Sequence, residues 1–123
     1  MKNDLLLRTK TFSINCWKFC FHVPKSREYN AYVNQLIRCS SSVGANYRAS
    51  QRAKSTKDFI YKLKIVEEEA DESLFWLELF EEVLPEQKQT IVPLQIEAKE
   101  LVAIIVASIK KTKTNLSKNK IRK

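Results

Sequence analysis

Gly44 is the only glycine in this chain of 123 residues, and only three prolines accompany it. Hairpins and tight turns depend on glycine and proline, so a fold built from many short strands is disfavoured. The length fits one domain with a single core. Because leucine, isoleucine, lysine and glutamate are abundant, the composition favours a few long helices.

Apolar residues recur at steps of four and three along four segments, which is the spacing of one face of a helix. In residues 4–23 this apolar stripe comprises Leu5, Thr9, Phe12, Cys16, Phe19 and Val23. Trp17, Cys20 and Phe21 are predicted to broaden it. In residues 27–52 the stripe comprises Tyr29, Val33, Leu36, Ser40, Val43 and Tyr47. Pro24 ends the first segment, and Ser26 is predicted to cap the second.

The third segment is predicted at 56–83, with Ser55 as its N-cap and Asp58 completing an approximate capping box. Its stripe comprises Phe59, Leu63, Val66, Ala70, Ser73, Leu77, Phe80 and Leu84. After a short polar link, "EQKQT", the fourth segment is predicted at 91–112, with Thr90 as its cap and Pro93 in its first turn. Its stripe comprises Leu94, Ala98, Leu101, Ile105 and Ser108.

The stretch around Gly44, "RCSSSVGANYRAS", has the small residues of a loop, but the stripe of the second segment crosses it unbroken. It is therefore predicted to be helical, although Gly44 costs such a helix about 1 kcal/mol relative to alanine. A surface of small residues allows close approach of another helix, and we expect that helix to be the third segment or a neighbouring subunit. Asn46 on this surface should form a hydrogen bond.

Short links make the four segments antiparallel neighbours, so the predicted architecture is an all-α, up-down-up-down four-helix bundle over residues 1–114. Residues 115–123 are predicted to be a basic, disordered tail. Folding the third segment back on the second brings Arg38 opposite "EEEADE", and Arg38 is predicted to pair with one of its glutamates. The residues expected to have packing or structural roles are Arg38, Ser42, Gly44, Asn46, Glu68, Glu72 and Trp76.

The formal net charge is +8 and is uneven, because residues 53–84 carry four lysines and nine acidic residues. In the predicted bundle, basic residues of several segments gather at one end, where a dense positive charge suits phosphate backbones. The candidate nucleic-acid-binding residues are Arg8, Lys10, Arg48, Arg52, Lys54, Lys57, Lys110, Lys111 and Lys113. No base-reading motif accompanies them, so binding should follow shape or charge. A basic body with one acidic segment can equally pair with copies of itself.

No pattern for catalysis or for a cofactor emerges. Cys16, Cys20, His22 and Cys39 offer only one pair with the spacing of zinc ligands, so core packing is favoured for the cysteines. The "EEEADE" run lacks the Glu-x-x-His partners of a di-metal bundle site. The serines at 40–42 lack a nucleophile elbow, and "GANYRAS" lacks the residues of a Walker loop. We expect a non-enzyme without metal or cofactor.

The surroundings of the protein are predicted from its cysteines and its apolar runs. Three cysteines without a secretory signal favour a reduced, cytoplasmic setting. No run approaches the roughly 20 apolar residues of a membrane span, so no contact with a membrane is expected.

Residues 38–82 resemble the signature of the small bacterial four-helix-bundle proteins encoded in intervening sequences of 23S rRNA genes, also called the S23 ribosomal protein family. The matching parts are Arg38, "SSVGAN", "RAKS…DFI" and "EEADESLFWLELF". That family is similar to the accessory variability determinant of diversity-generating retroelements, which is a basic pentamer of bundles that binds nucleic acid and a reverse transcriptase.

The resemblance implies a ring-shaped homo-oligomer, a pentamer, that binds RNA or DNA and has a reverse transcriptase or another protein as a further partner. Two hypotheses follow. In the first, the chain is an oligomeric nucleic-acid-binding accessory protein that uses its basic surfaces. In the second, it is a protein–protein interaction scaffold with no direct contact to nucleic acid.

Overall fold

The structure is a computed structural model that describes residues 4–122, with side chains described for residues 4–119. Four α-helices form it: α1 (Asp4–Phe21), α2 (Arg27–Ser50), α3 (Thr56–Val83) and α4 (Lys88–Arg122). The described residues contain no strand. The all-α prediction is therefore confirmed, and α3 has the predicted bounds.

The helix starts of α2 and α3 are fixed by the predicted serine caps. The backbone N–H of Tyr29 donates to Ser26 Oγ at 3.1 Å, and that of Asp58 donates to Ser55 Oγ at 3.1 Å. The Asp58 carboxylate accepts in turn from the backbone N–H of Lys54. These bonds satisfy amide groups that have no partner inside a helix.

Each helix packs against two others, in the order α1–α2–α3–α4 and back to α1. Within the described residues, the backbone of α1 stays apart from that of α3, and the backbone of α2 from that of α4, so these pairs lie diagonally across the bundle. The predicted apolar stripes face the centre. Its largest fully buried side chains include Phe12, Phe19 and Phe80. The up-down four-helix bundle is thus confirmed.

Gly44 lies where α2 crosses α1 and not against α3, and it also lines an open groove between α1 and α2. The alternative of a neighbouring subunit at this surface stays a prediction. A Cβ atom built on Gly44 would lie 2.8 Å from Ser13 Oγ and 3.3 Å from the carbonyl oxygen of Thr9. Ser13 Oγ also donates to the carbonyl oxygen of Ser40 at 2.6 Å, which ties the two helices together. The small residues therefore let the α1 and α2 backbones approach closely.

Trp17 and Phe21, the two aromatic residues expected to broaden the apolar stripe of α1, lie outside the core. Trp17 is 53% exposed and Phe21 is 74% exposed, whereas Cys20 is buried. The buried residues of α1 form a narrow stripe, which comprises Thr9, Phe12, Cys16, Phe19 and Cys20. Trp17 and Phe21 fall on the opposite side of the helix.

The fourth helix is longer than predicted at both ends. A single 3-10 turn at Pro85–Gln87 leads directly into α4 at Lys88, so the "EQKQT" link is largely helical and Thr90 lies inside the helix. Pro93 is accommodated within α4. The helix continues through the predicted tail to Arg122, while Lys123 lies outside the described residues. The division at 114/115 stays a prediction. Among the described residues, no helix has the length and apolar character to cross a membrane.

Candidate nucleic-acid interface

One end of the bundle brings together the end of α2, the start of α3 and the later part of α4. Thr112 of α4 lines a shallow pocket together with Ser50 at the end of α2. Ser55, which caps α3, and Phe59 near the start of α3 line the same pocket. The following part of α4, as far as Arg122, extends about 15 Å at 1.5 Å per residue. Three helices thus supply basic residues to one region, as the sequence predicts.

We call this region the basic pole and define it by seven residues, all of them exposed. They are Arg48, Arg52, Lys54, Lys57, Lys110, Lys111 and Lys113. Among the described side chains, none of the seven forms an ion pair. Lys62, one turn further along α3, is paired with Asp58 at 2.8 Å. Uncompensated exposed cations of this density create a positive potential that attracts polyanions.

Arg8 differs from the other candidate residues because its guanidinium is occupied by carboxylates of α4. It is bonded to Glu97 at 2.6 Å and to Glu100 at 3.1 Å. The hydrogen bond with Glu97, followed by the charge of that carboxylate, outweighs burial and raises the pKa of Arg8 above its ordinary value. The structure therefore places Arg8 as a link between α1 and α4. The sequence signal for this role is that Arg8 borders the apolar stripe of α1.

Lys10 is exposed on the side of α1. Together with Arg48 it flanks an open groove between α1 and α2, whose floor includes the small residues Ser41, Gly44 and Ala45. Lys2, close to the start of the sequence, lies outside the described residues.

The predicted ion pair of Arg38 is confirmed. Its guanidinium binds Glu69 at 3.2 Å and also binds Glu72, and Glu72 accepts a further hydrogen bond from the Trp76 indole at 3.2 Å. Asn46 donates through Nδ2 to both the carbonyl and the hydroxyl oxygen of Ser42, which confirms its expected hydrogen bond. Glu68, predicted as a possible partner of Arg38, is exposed on the outside of α3.

Glu72 provides a pH-dependent contribution to stability. Burial alone would raise the pKa of this carboxyl, but the hydrogen bonds from Arg38 and Trp76 and the charge of Arg38 lower it below its ordinary value. A carboxylate whose pKa is lower in the folded state stabilises the fold above its unfolded pKa, about 4.3 for glutamate, and this contribution is lost as the pH falls further.

We therefore expect the free energy of unfolding to decrease as the pH falls through about 4.3 and below. Glu72→Gln should make this decrease shallower, because glutamine keeps an acceptor oxygen but does not titrate. Urea unfolding of both proteins across this pH range checks the prediction. Glu68→Gln, at an exposed site outside the network, is the matched control. Equal pH dependence in all three proteins would contradict the assignment.

The three cysteines are free and buried in the core. Burial raises the pKa of Cys20 to about 12, and it raises the pKa of Cys16 and Cys39 as well. Buried thiols of this kind are poor nucleophiles. Within the described residues, no group of three or more histidine, cysteine, aspartate or glutamate side chains is placed to hold a metal ion.

Comparison with known proteins supports the resemblance seen at residues 38–82. The sequence profile of 23S rRNA-intervening sequence proteins matches residues 1–107. A crystal structure at 1.70 Å resolution of a protein of unknown function from the S23 ribosomal protein family of Bacteroides thetaiotaomicron is similar to this chain. The TM-score is 0.76 at 27% sequence identity, covering 85% of this chain and 97% of that one. No curated protein sequence matches.

Proposed function

This chain belongs to the 23S rRNA-intervening sequence protein family, and we propose that it is a non-enzymatic, cytoplasmic accessory protein that self-associates and binds RNA or DNA through its basic pole. The relation to the accessory variability determinant stays a prediction. So do the pentameric ring and the reverse-transcriptase partner that this relation implies.

The observation that carries the proposal is a set of seven exposed cations on α2, the α2–α3 turn, the start of α3 and the later part of α4. None of them forms an ion pair within the described residues. Structural ion pairs engage Arg8, Arg38 and Lys62, whereas the cations of the pole are unpaired and concentrated in one region. Phosphate contacts supply affinity without sequence information, which agrees with the lack of a base-reading motif.

The test is the salt dependence of binding to a duplex and to a single-stranded RNA. For duplex DNA the logarithm of the binding constant falls with the logarithm of salt concentration at a slope of about −0.9 per phosphate contact. If the seven cations all contact phosphates, the slope approaches about −6. Arg52→Glu with Lys57→Glu should reduce its magnitude by about 2 and weaken binding by about fiftyfold near 0.1 M salt.

The matched control is Lys25→Glu with Lys99→Glu, which changes the net charge equally at exposed sites away from the pole. Arg48 is left unchanged because it also lines the α1–α2 groove. Fluorescence anisotropy across a salt series measures all three proteins. Binding that ignores salt, or an equal loss in the control, would contradict the proposal.

A protein–protein interaction scaffold is the second candidate. The observation in its favour is the outward face of α1, where Trp17 and Phe21 are largely exposed. This function predicts an assembly, or the capture of a protein partner, with no affinity for nucleic acid. The anisotropy experiment therefore separates the two candidates.

A further inference from the structure

The outward face of α1 is an apolar surface that the bundle leaves uncovered. The rings of Trp17 and Phe21 are 5.6 Å apart and both are mainly exposed. Leu7 and Ile14 continue this face toward the start of the helix, with Leu7 61% exposed. Exposed apolar patches with a polar rim mark interaction surfaces, and tryptophan is prominent among residues that dominate binding energy.

This face carries positive charge and adjoins a groove. Lys10 and Lys18 are exposed on α1 beside the apolar residues. On the α2 side, the groove floored by Gly44 and Ala45 has Lys10 and Arg48 at its edges. Small residues on the floor leave room for a row of side chains from another helix.

The outward face of α3 has the complementary character. Residues at steps of three and four place one apolar side chain, the half-exposed Phe75, among exposed carboxylates. These carboxylates are Glu68, Asp71, Glu78 and Glu82. Among the described side chains, none of the four forms an ion pair. The face therefore has an apolar anchor and unpaired negative charge.

We propose that a second copy of this chain docks the outward face of its α3 onto the outward face of α1 and the adjacent groove. This deepens the self-association in the proposed function and rests on it, but it does not depend on nucleic-acid binding. Among the possible pairings of these two faces, opposite charges meet only in this one, because α1 on α1 opposes lysines and α3 on α3 opposes carboxylates. Like charges facing each other are strongly unfavourable at an interface.

The proposed contact joins two different surfaces of the chain. Because α1 and α3 lie diagonally across the bundle, each copy presents one surface to each of two neighbours. Such head-to-tail contacts generate a closed ring when the rotation between copies closes, and a filament when it does not. Of the seven residues of the basic pole, Arg48 alone lines this groove, and the other six lie outside its lining.

A pair of charge-reversed chains tests the proposal. One chain carries Lys10→Glu and Lys18→Glu on α1, and the other carries Asp71→Lys and Glu78→Lys on α3. All four sites are exposed, so both chains should fold, which circular dichroism verifies. Light scattering should show that each chain alone assembles about tenfold or more weakly than the wild type. An equimolar mixture should recover species that contain both chains, because opposite charges meet again.

Lys25→Glu with Lys99→Glu is the matched control and should assemble like the wild type. The proposal is overturned if both charge-reversed chains keep the wild-type mass, or if the mixture fails to assemble. A wild-type chain that stays monomeric, including one that binds vesicles or another protein through Trp17, overturns it as well. If the pole variant Arg52→Glu with Lys57→Glu loses nucleic-acid binding but keeps the wild-type mass, the pole binds nucleic acid and takes no part in assembly.

Discussion

Gly44→Leu is expected to destabilise the bundle by at least about 3 kcal/mol, the upper end of the usual cost of overpacking. Even a Cβ atom at this position meets Ser13 Oγ at 2.8 Å and the Thr9 carbonyl oxygen at 3.3 Å. The outer atoms of a leucine can extend into the α1–α2 groove, but its Cβ fits only if α1 moves away from α2. Such a separation breaks the 2.6 Å hydrogen bond from Ser13 to the Ser40 carbonyl.

This expectation opposes helix propensity. Leucine is a better helix former than glycine by somewhat less than about 1 kcal/mol, so propensity alone predicts a more stable protein. Against a total stability of about 5–15 kcal/mol, the expected loss is large and should appear as a clear fall in melting temperature. Thermal unfolding followed by circular dichroism shows whether the steric cost or the gain in helix propensity is larger.

Three further variants separate packing from propensity. Ala31→Leu adds a leucine at an exposed site of the same helix and should change stability by no more than about 0.5 kcal/mol. Gly44→Ala should be much milder than Gly44→Leu, and combining it with Ser13→Ala should remove part of its cost, because the nearest atom is then absent. A stabilised Gly44→Leu protein would contradict the close packing of α1 and α2.

The sequence predicts which side of each helix is buried much better than which neighbour covers it. The four-three spacing identified the stripes of all four helices, because burial of one face dictates that spacing whatever lies opposite. It could not assign Gly44 to α1, since the stripe of α2 borders both α1 and α3. The same limit explains why the small residues were expected to meet α3 or another subunit.

Ion pairs were predictable where a short turn fixes the register. Ser50 and Thr56 are joined by so few residues that α3 must fold back directly, and the pairing of Arg38 with its glutamates follows. Arg8 and Glu97 are 89 residues apart, and their meeting depends on how the whole bundle closes. The sequence alone therefore left Arg8 among the free cations, whereas in the structure it is paired with Glu97 and Glu100.

The length of α4 shows composition and propensity in conflict. A lysine-rich segment without acidic residues is typical of a disordered tail, yet lysine is also a good helix former. Thr112 and Leu116 extend the spacing of Ile105 and Ile109, and both remain partly buried. This continued stripe is the signal for the longer helix. It matters for the candidate interface because it holds Lys110, Lys111 and Lys113 on a regular helix.

Phe80→Ala is the second substitution with a large expected effect, about 3–5 kcal/mol of lost stability. Phe80 is fully buried on α3. Its ring meets Phe19 of α1 edge-to-face at 5.1 Å and Tyr32 of α2 edge-to-face at 5.8 Å. It therefore joins three helices near the end of the bundle opposite the basic pole, and its removal leaves a cavity that none of them can fill alone.

Urea unfolding of Phe80→Ala, Phe19→Ala and the double variant measures how strongly the two rings depend on each other. Aromatic pairs in this geometry contribute about 0.5–1.5 kcal/mol beyond the area they bury, so the double variant should lose less than the sum of the two single losses. Phe80→Leu keeps most of the volume and should cost much less than Phe80→Ala.

Phe75→Ala is the matched control, because Phe75 is a half-exposed phenylalanine on the same helix. A loss of stability in Phe75→Ala as large as that in Phe80→Ala would mean that the core is not centred on Phe80. Because Phe75 lies on the proposed docking face of α3, its variant should instead weaken assembly, so stability and mass together distinguish the inner face of α3 from its outer face.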